Sequence, residues 1–144
     1  MRIPATFLIA SLLPFIWTAQ GSSGDAETQI RSVLDAQASA WNRGDIDGYM
    51  DGYARGDATE FVSGDTVTRG WQTVRDRYAK KYDSREKMGT LTFSEVVVRP
   101  LGDDAAFVTG CWQLAREADQ PRGCFTLLFR HLPEGWRIVH DHTS

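Results

Sequence analysis

The last strand predicted from the sequence, at about 136–143, carries the residues best suited to acid–base chemistry. His140, Asp141 and His142 follow one another there, and imidazole or carboxylate groups can exchange protons near neutral pH. Because successive side chains of a regular strand point to opposite faces of a sheet, His140 and His142 are expected on one face and Asp141 on the other. A local Asp–His dyad is therefore excluded, and only one of Asp141 and His142 can face a pocket as a general base.

Aromatic residues recur along the chain and could line such a pocket. Sites for organic ligands are mostly apolar, with a few polar groups that orient the ligand, and they usually enclose at least a few hundred cubic ångströms. Tyr53 or Tyr78 could donate a hydrogen bond to a substrate. The candidate catalytic residues are Asp141, His142 and Tyr53. The candidate ligand-binding residues are Trp41, Tyr49, Phe61, Trp71, Tyr78, Phe93, Trp112 and Phe125.

Purely structural roles are the alternative for both groups of residues. Large aromatic side chains at helical spacing often fill a core and leave no cavity. Of Asp141 and His142, the inward residue could hydrogen-bond the helices, and the outward residue could lie at a dimer interface. The two interpretations differ in whether an open cavity exists.

The spacing of His140 and His142 also occurs in metal sites, but zinc requires at least a third protein ligand. His131 or Cys124 could supply one only in a suitable strand register. The sequence has no second group with ligand spacing, no Gly-rich phosphate loop and no nucleophile elbow. We therefore predict no metal site and no cofactor, and we expect any enzymatic activity to be proton transfer without a cofactor.

The first residues differ in character from the rest of the chain. Arg2 precedes an apolar run at 5–17, and residues 19–21 provide the small side chains that a signal peptidase reads. The run is shorter than the roughly 20 apolar residues of a membrane-spanning helix. Residues 1–21 are predicted to be a secretory signal and residues 22–144 the domain. The mature protein is expected to be exported, periplasmic or secreted, with no membrane association after cleavage.

Composition indicates one ordinary globular domain. The 144 residues are 42% hydrophobic and 24% charged, which is typical of a single domain of this length. The formal net charge is −3. An acidic chain without a basic patch does not attract a polyanion, so nucleic acid is not an expected partner.

Export would allow Cys111 and Cys124 to form a disulfide. Directly opposed cysteines would require Pro121 to lie opposite Leu114, where proline has no N–H to donate. A turn nearer residues 119–120 avoids that difficulty but separates the two sulfurs. Two buried thiols are therefore expected rather than a disulfide.

Apolar residues at helical spacing predict three helices in the first part of the chain, at 25–43, at 46–53 and from Trp71 onward. Between the first two, Gly44 suits the turn that ends a helix and Asp45 suits the cap of the next one. Helices therefore come first in the chain order.

Beyond Met88 the pattern changes to alternation, which predicts strands. In the first of them, the apolar positions switch parity near Ser94 and Glu95, which indicates a bulge that bends the strand. The result is an α+β fold with three N-terminal helices on one face of a curved antiparallel sheet. The predicted strands are a small hairpin at 59–62 and 66–68, and four longer strands at about 88–101, 105–116, 123–132 and 136–143.

Four segments, at 41–49, 69–71, 88–93 and 135–144, resemble the SnoaL-like, nuclear transport factor 2-like superfamily. The resemblance extends over residues 25–144. It implies a cone-shaped fold in which a curved sheet wraps a helix and encloses a pocket, often in a homodimer formed through the sheet. The superfamily includes ketosteroid isomerases, polyketide cyclases, dehydratases and kinase association domains, so the fold does not fix the function.

Steroid isomerases of this superfamily use a tyrosine in the first helix and an aspartate base soon after the second helix. The corresponding positions here are Gln37 and residues 62–63, which supply neither group. Steroid isomerase chemistry is therefore not expected. We expect an exported homodimer that binds a small organic ligand in an aromatic pocket and could be an isomerase, cyclase or dehydratase. The alternative is a non-catalytic association module with a filled core.

Overall fold

The structure is a computed structural model that describes residues 23–144, so the predicted signal, residues 1–21, lies outside the described residues. Helices come first and the long strands follow. The elements are α1 (Ser23–Asn42), α2 (Ile46–Met50), β1 (Glu60–Ser63), β2 (Thr66–Arg69), α3 (Trp71–Lys81), α4 (Arg85–Met88), β3 (Thr90–Pro100), β4 (Ala105–Ala115), β5 (Arg122–Leu132) and β6 (Gly135–Thr143). No helix within the described residues is both long and apolar enough to cross a membrane.

The α+β class is confirmed, and the helices differ from the prediction in detail. Gly44 adopts a φ of 83° after α1, and the Asp45 carboxylate accepts a 2.8 Å hydrogen bond from the Gly48 N–H, so Asp45 caps α2 as predicted. The second helix ends at Met50, three residues before the predicted end, because Tyr53 forms an isolated bridge with Ile138 of the sheet. The short helix α4 was not predicted.

All six strands form one sheet in the order β2-β1-β6-β5-β4-β3. Neighbouring strands are antiparallel except β1 and β6, which are parallel. The parallel pair was not predicted, because it joins two strands from opposite ends of the domain. It places β6, and therefore residues 140–142, inside the sheet rather than at an edge.

Two irregularities bend the sheet around α1. In β3 the register shifts between Ser94 and Val97, and Glu95 has a φ of 53°, so the predicted bulge is confirmed. In β6, His140 pairs with Leu128 and Ile138 pairs with Phe129, which are adjacent residues of β5. Val139 is therefore an extra residue in β6, and the register shifts there. This extra residue reverses the alternation within β6.

Cys111 and Cys124 lie directly opposite each other in the β4–β5 hairpin and form a disulfide. The expectation of two thiols was therefore wrong. Pro121 does lie opposite Leu114, but its carbonyl accepts a 2.9 Å hydrogen bond from the Leu114 N–H. Proline lacks only a donor, so it can occupy this position as an acceptor at the end of the ladder.

Candidate functional site

The helices and the concave face of the sheet enclose a cavity of about 200 Å³. Aromatic side chains therefore do not fill the interior completely, although the volume is smaller than the few hundred cubic ångströms that we expected. The lining consists mainly of aromatic and aliphatic side chains from α1, α2, α3, β1 and strands β3–β6. Its residues are Leu34, Gln37, Trp41, Tyr49, Tyr53, Phe61, Ser63, Arg77, Tyr78, Lys81, Tyr82, Leu91, Phe93, Trp112, Leu114, Phe125, Leu127, Ile138, Asp141, Thr143 and Ser144.

Asp141 provides a carboxyl group at the buried end of the cavity. Its side chain faces inward and only 5% of the residue is exposed. The Tyr53 hydroxyl donates a 2.6 Å hydrogen bond to the Asp141 Oδ2 atom. The second oxygen, Oδ1, is buried and has no hydrogen-bond partner among the described residues. Buried polar atoms are nearly always paired, so this oxygen has an unused capacity to accept a hydrogen bond.

Burial also changes the acid–base properties of this pair. Loss of solvation raises the pKa of Asp141 to about 7, and the hydrogen bond from Tyr53 opposes that rise. Burial and the nearby charge of Asp141 hold the pKa of Tyr53 well above its ordinary value. Tyr53 therefore remains a hydrogen-bond donor at neutral pH, while Asp141 can both bind and release a proton there.

Backbone hydrogen bonds fix the position of Tyr53 relative to Asp141. The Ile138 N–H donates to the Gly52 carbonyl (2.9 Å), and the Ala54 N–H donates to the Ile138 carbonyl (2.8 Å). These bonds clamp the segment after α2 to β6, three residues before Asp141. The bulge at Val139 then allows Ile138 and Asp141 to face the cavity together, although a regular strand would separate them.

Aromatic rings in edge-on and tilted contact form the walls. Ring centroids are 5.1 Å apart for Trp41 and Tyr49, and 5.2 Å apart for Tyr49 and Tyr78. Phe61 lies 5.4 Å from Tyr78. The Trp41 indole N–H donates to the Met88 carbonyl (3.0 Å), so its polar atom is satisfied within the protein. These rings therefore offer a rigid apolar surface.

On the opposite wall, Phe93 and Phe125 lie 5.6 Å apart in an edge-on contact. The Trp112 indole N–H donates to the Thr143 hydroxyl (3.0 Å), which ties β4 to the end of β6. Phe93 and Trp112 are only half-buried, and Ser144 is exposed. The cavity therefore opens at this end, and Asp141 lies at the closed end.

Two of the predicted site residues lie elsewhere. Trp71 does not line the cavity, because its indole N–H donates to the Met50 carbonyl (2.9 Å) and its other face carries the Arg55 guanidinium at 3.6 Å. His142 is exposed on the outer face of the sheet, since Asp141 takes the inward position. The other predicted residues, Asp141, Tyr53, Trp41, Tyr49, Phe61, Tyr78, Phe93, Trp112 and Phe125, all line the cavity.

Several lining residues were not predicted as site residues. Gln37, which is buried, donates through its side chain to the Tyr49 carbonyl (3.0 Å). Arg77 and Lys81 extend along the open end from α3. The sequence contained a usable signal for these two, since Arg77 directly precedes Tyr78 and Lys81 directly precedes Tyr82.

His140 shares the outer face with His142, as predicted from alternation. Its Nδ1 atom lies 3.0 Å from Glu60 Oε1, and Arg69 pairs with the other oxygen of Glu60 at 2.8 Å. Within residues 23–144, no three His, Cys, Asp or Glu side chains are grouped closely enough to hold a metal ion. The ionisable side-chain groups among the described residues that line the cavity are thus one carboxyl group, several phenols and the cations of Arg77 and Lys81.

Comparisons with known proteins agree with this architecture. The SnoaL-like domain family matches residues 30–144. An NTF-2 like protein of unknown function from Shewanella oneidensis MR-1 is 37% identical, with a TM-score of 0.79 over 82% of this chain and 98% of that chain. Among curated proteins, none matches this chain.

More distant structures share the fold. An NTF2-like protein of unknown function from Pseudomonas putida KT2440 is 21% identical, with a TM-score of 0.72 over 86% of this chain and 89% of that one. A ketosteroid isomerase-like protein from Erwinia carotovora atroseptica SCRI1043 is 20% identical, with a TM-score of 0.62 over 81% and 93% of the two chains. The family matches most of the domain, and the fold is the same as that of the similar structures. This chain therefore belongs to the SnoaL-like domain family of the nuclear transport factor 2-like superfamily.

Proposed function

We propose that this protein binds a small organic molecule inside the cone, with its apolar part against the aromatic walls and a polar group on Asp141. The observation that carries the proposal is the buried Oδ1 atom of Asp141, which lies on a cavity wall and has no hydrogen-bond partner within residues 23–144. Leaving such an atom unpaired costs about 1–3 kcal/mol. A ligand that donates a hydrogen bond there would recover part of that cost.

Cavity size limits the ligand. A dry cavity of roughly 150 Å³ in another protein holds one benzene molecule. The volume of about 200 Å³ here suits a molecule with one ring and a few substituents. A four-ring steroid would not fit without rearrangement of the walls. The expected ligand is thus smaller than the substrates of steroid isomerases.

The same pair of residues supports acid–base catalysis without a cofactor. A general base works best when its pKa lies near the working pH, and that of Asp141 is about 7. The Tyr53 hydroxyl already donates a hydrogen bond to this carboxyl group and would hold it in one orientation. An isomerase, cyclase or dehydratase that moves one proton would need such a group beside its substrate. We therefore propose Asp141 as the catalytic base and Tyr53 as the residue that orients it.

A homodimer formed through the outer face of the sheet is a second proposal. Val97 and Phe107 project from that face of β3 and β4 with 44% and 37% of their surface exposed. Exposed apolar side chains on adjacent strands are typical of contact surfaces. The superfamily resemblance supports the same arrangement.

Export is the third proposal, and the disulfide supports it. Disulfides persist in oxidising compartments such as the periplasm and are rare in the cytosol. The bond between Cys111 and Cys124 is therefore consistent with a secretory signal at residues 1–21. The same signal sequence was predicted from the apolar run that precedes the domain.

Ligand binding can be tested by filling the cavity. Leu127 lines the cavity and its neighbour Leu128 does not, so Leu127→Phe and Leu128→Phe add the same volume on opposite sides of β5. With phenol as the probe, calorimetry should give saturable binding to the wild-type protein and to Leu128→Phe. Binding should be lost in Leu127→Phe. Equal affinity in all three proteins, or no binding in any, would reject the proposal.

The raised pKa of Asp141 predicts a specific pH dependence of stability. Between about pH 4 and pH 7 the folded protein retains a proton that the unfolded chain has lost, so the free energy of unfolding should fall as pH rises. The rise in the pKa of Asp141 from its ordinary value to about 7 corresponds to at most about 4 kcal/mol of free energy of unfolding. Asp141→Asn cannot titrate and should remove this fall in denaturant titrations, whereas exposed Asp65→Asn should not. Parallel profiles for wild type and Asp141→Asn would contradict the assignment.

The dimer proposal predicts that one charge on the outer face dissociates the protein. Phe107→Glu should halve the mass measured by light scattering, because a buried unpaired carboxylate is costly. Leu101→Glu adds the same charge in the turn after β3, where Leu101 is 56% exposed, and should leave the mass unchanged. A monomeric wild-type protein at high concentration would rule out the proposed dimer.

The export proposal predicts processing of the full chain in a bacterial host. Protein recovered from the periplasm should begin at residue 22 and show no free thiol, as read by intact mass before and after reduction. Deletion of residues 5–17 should retain the chain in the cytoplasm. An uncleaved cytoplasmic product from the full chain would contradict export in that host.

A further inference from the structure

Two positively charged side chains stand at the open end of the cavity. Arg77 and Lys81 are one helical turn apart on α3, and both line the cavity. Arg77 is half-buried and Lys81 is exposed. Asp141 is the only acidic residue among the described residues that line the cavity, and it lies at the closed end. The two ends of the cavity therefore differ in charge.

Neither cation has a carboxylate partner within the part of the chain that the structure describes. Arg77 donates to the Thr68 hydroxyl (2.7 Å) and lies 5.1 Å from the Phe61 ring centroid. The Lys81 Nζ atom lies 5.3 Å from the Tyr82 ring centroid. Both contacts hold the cations beside cavity walls without neutralising their charge, so they remain available to an anion.

Other cations on the same helix behave differently. Arg75, two residues before Arg77, pairs with Asp47 at 2.7 Å and with Asp76 at 3.2 Å. A basic residue in the last turn of a helix also interacts favourably with the helix dipole. Lys80 and Lys81 both lie in the last turn of α3, but of these two only Lys81 lines the cavity. Helix stabilisation therefore does not account for the position of Arg77 and Lys81 at the opening.

The closed end requires the opposite kind of group. Oδ1 of Asp141 is buried and accepts no hydrogen bond from the described part of the chain, so it selects a ligand group that can donate one, such as a hydroxyl or an amine. Between the two ends lie the aromatic rings, which select an apolar body. The whole chain carries a formal charge of −3, so it has no general attraction for anions. Selection of an anion would have to come from the local pair of cations.

We propose that the cavity binds a small hydroxylated organic acid, with its anionic group paired to Arg77 and Lys81 and its hydroxyl group donating to Asp141. This inference rests on the proposed function and names the class of ligand. One aromatic or alicyclic ring between the two polar groups fits the volume of about 200 Å³. The ligand enters with its hydroxyl group first, because the cations lie at the opening.

A pair of probes of matched shape tests the proposal. In 4-hydroxybenzoate and 4-hydroxybenzamide the ring and hydroxyl group are the same, and only the first is an anion. Calorimetry at low salt should show 4-hydroxybenzoate binding about tenfold more tightly, since two ion pairs at a partly exposed site contribute together. The preference should shrink as salt is added, because salt screens exposed charges.

Substitution of the two cations shows whether they bind the anionic group of the ligand or only stabilise the fold. Arg77→Gln and Lys81→Gln should each weaken the binding of 4-hydroxybenzoate by roughly two- to fivefold and leave that of 4-hydroxybenzamide nearly unchanged. Lys80→Gln removes the same charge from the same helix turn and should change neither. A structural defect would weaken both probes equally.

The outcomes distinguish this inference from the proposed function. If 4-hydroxybenzamide binds as tightly as 4-hydroxybenzoate, the anion preference is rejected while small-molecule binding stands. Equal losses in Lys80→Gln and Lys81→Gln would also overturn it, since only the net charge would then matter. If neither probe binds, and phenol does not bind either, the inference falls together with the proposed function.

Discussion

The structure depends on how a single carboxyl group is accommodated in an aromatic interior. A buried carboxylate is unfavourable unless hydrogen bonds or opposite charges replace its solvation. Asp141 has one such bond, from Tyr53, and forms no salt bridge with any of the described residues. The remaining cost appears as a pKa raised to about 7. The group is therefore held between two protonation states at neutral pH, and one of its oxygens is left for a partner that the described residues do not supply.

Irregular backbone places this group where it can act. The bulge at Val139 turns Asp141 and Ile138 toward the same side, and the clamp between β6 and the segment after α2 brings Tyr53 to the carboxyl group. The bulge near Glu95 bends the other half of the sheet around α1. A flat and regular sheet would bury the same residues against the helices. The cavity thus results from departures from ideal strand geometry.

Local sequence signals predicted much of the fold. Gly44 and Asp45 marked the junction of the first two helices, and the parity switch marked the bulge in β3. The parallel β1–β6 pairing could not be predicted, because it joins strands that lie far apart in the chain. The register that joins Cys111 to Cys124 lies within one hairpin, and it was missed because Pro121 was expected to be unfavourable opposite Leu114, where its carbonyl in fact accepts a hydrogen bond. The choice between Asp141 and His142 was open, since alternation separates two faces without identifying the concave one.

The most direct test of this account is the titration of the Asp141 carboxyl carbon by NMR in ¹³C-labelled protein. The signal of this carbon is assigned by its absence from the spectrum of Asp141→Asn. The account predicts a midpoint near pH 7 in the free protein. It also predicts a higher midpoint in Tyr53→Phe, because the hydrogen bond from Tyr53 stabilises the ionised form. A midpoint near pH 4 that is unchanged in Tyr53→Phe would show a solvated carboxylate and would contradict the account.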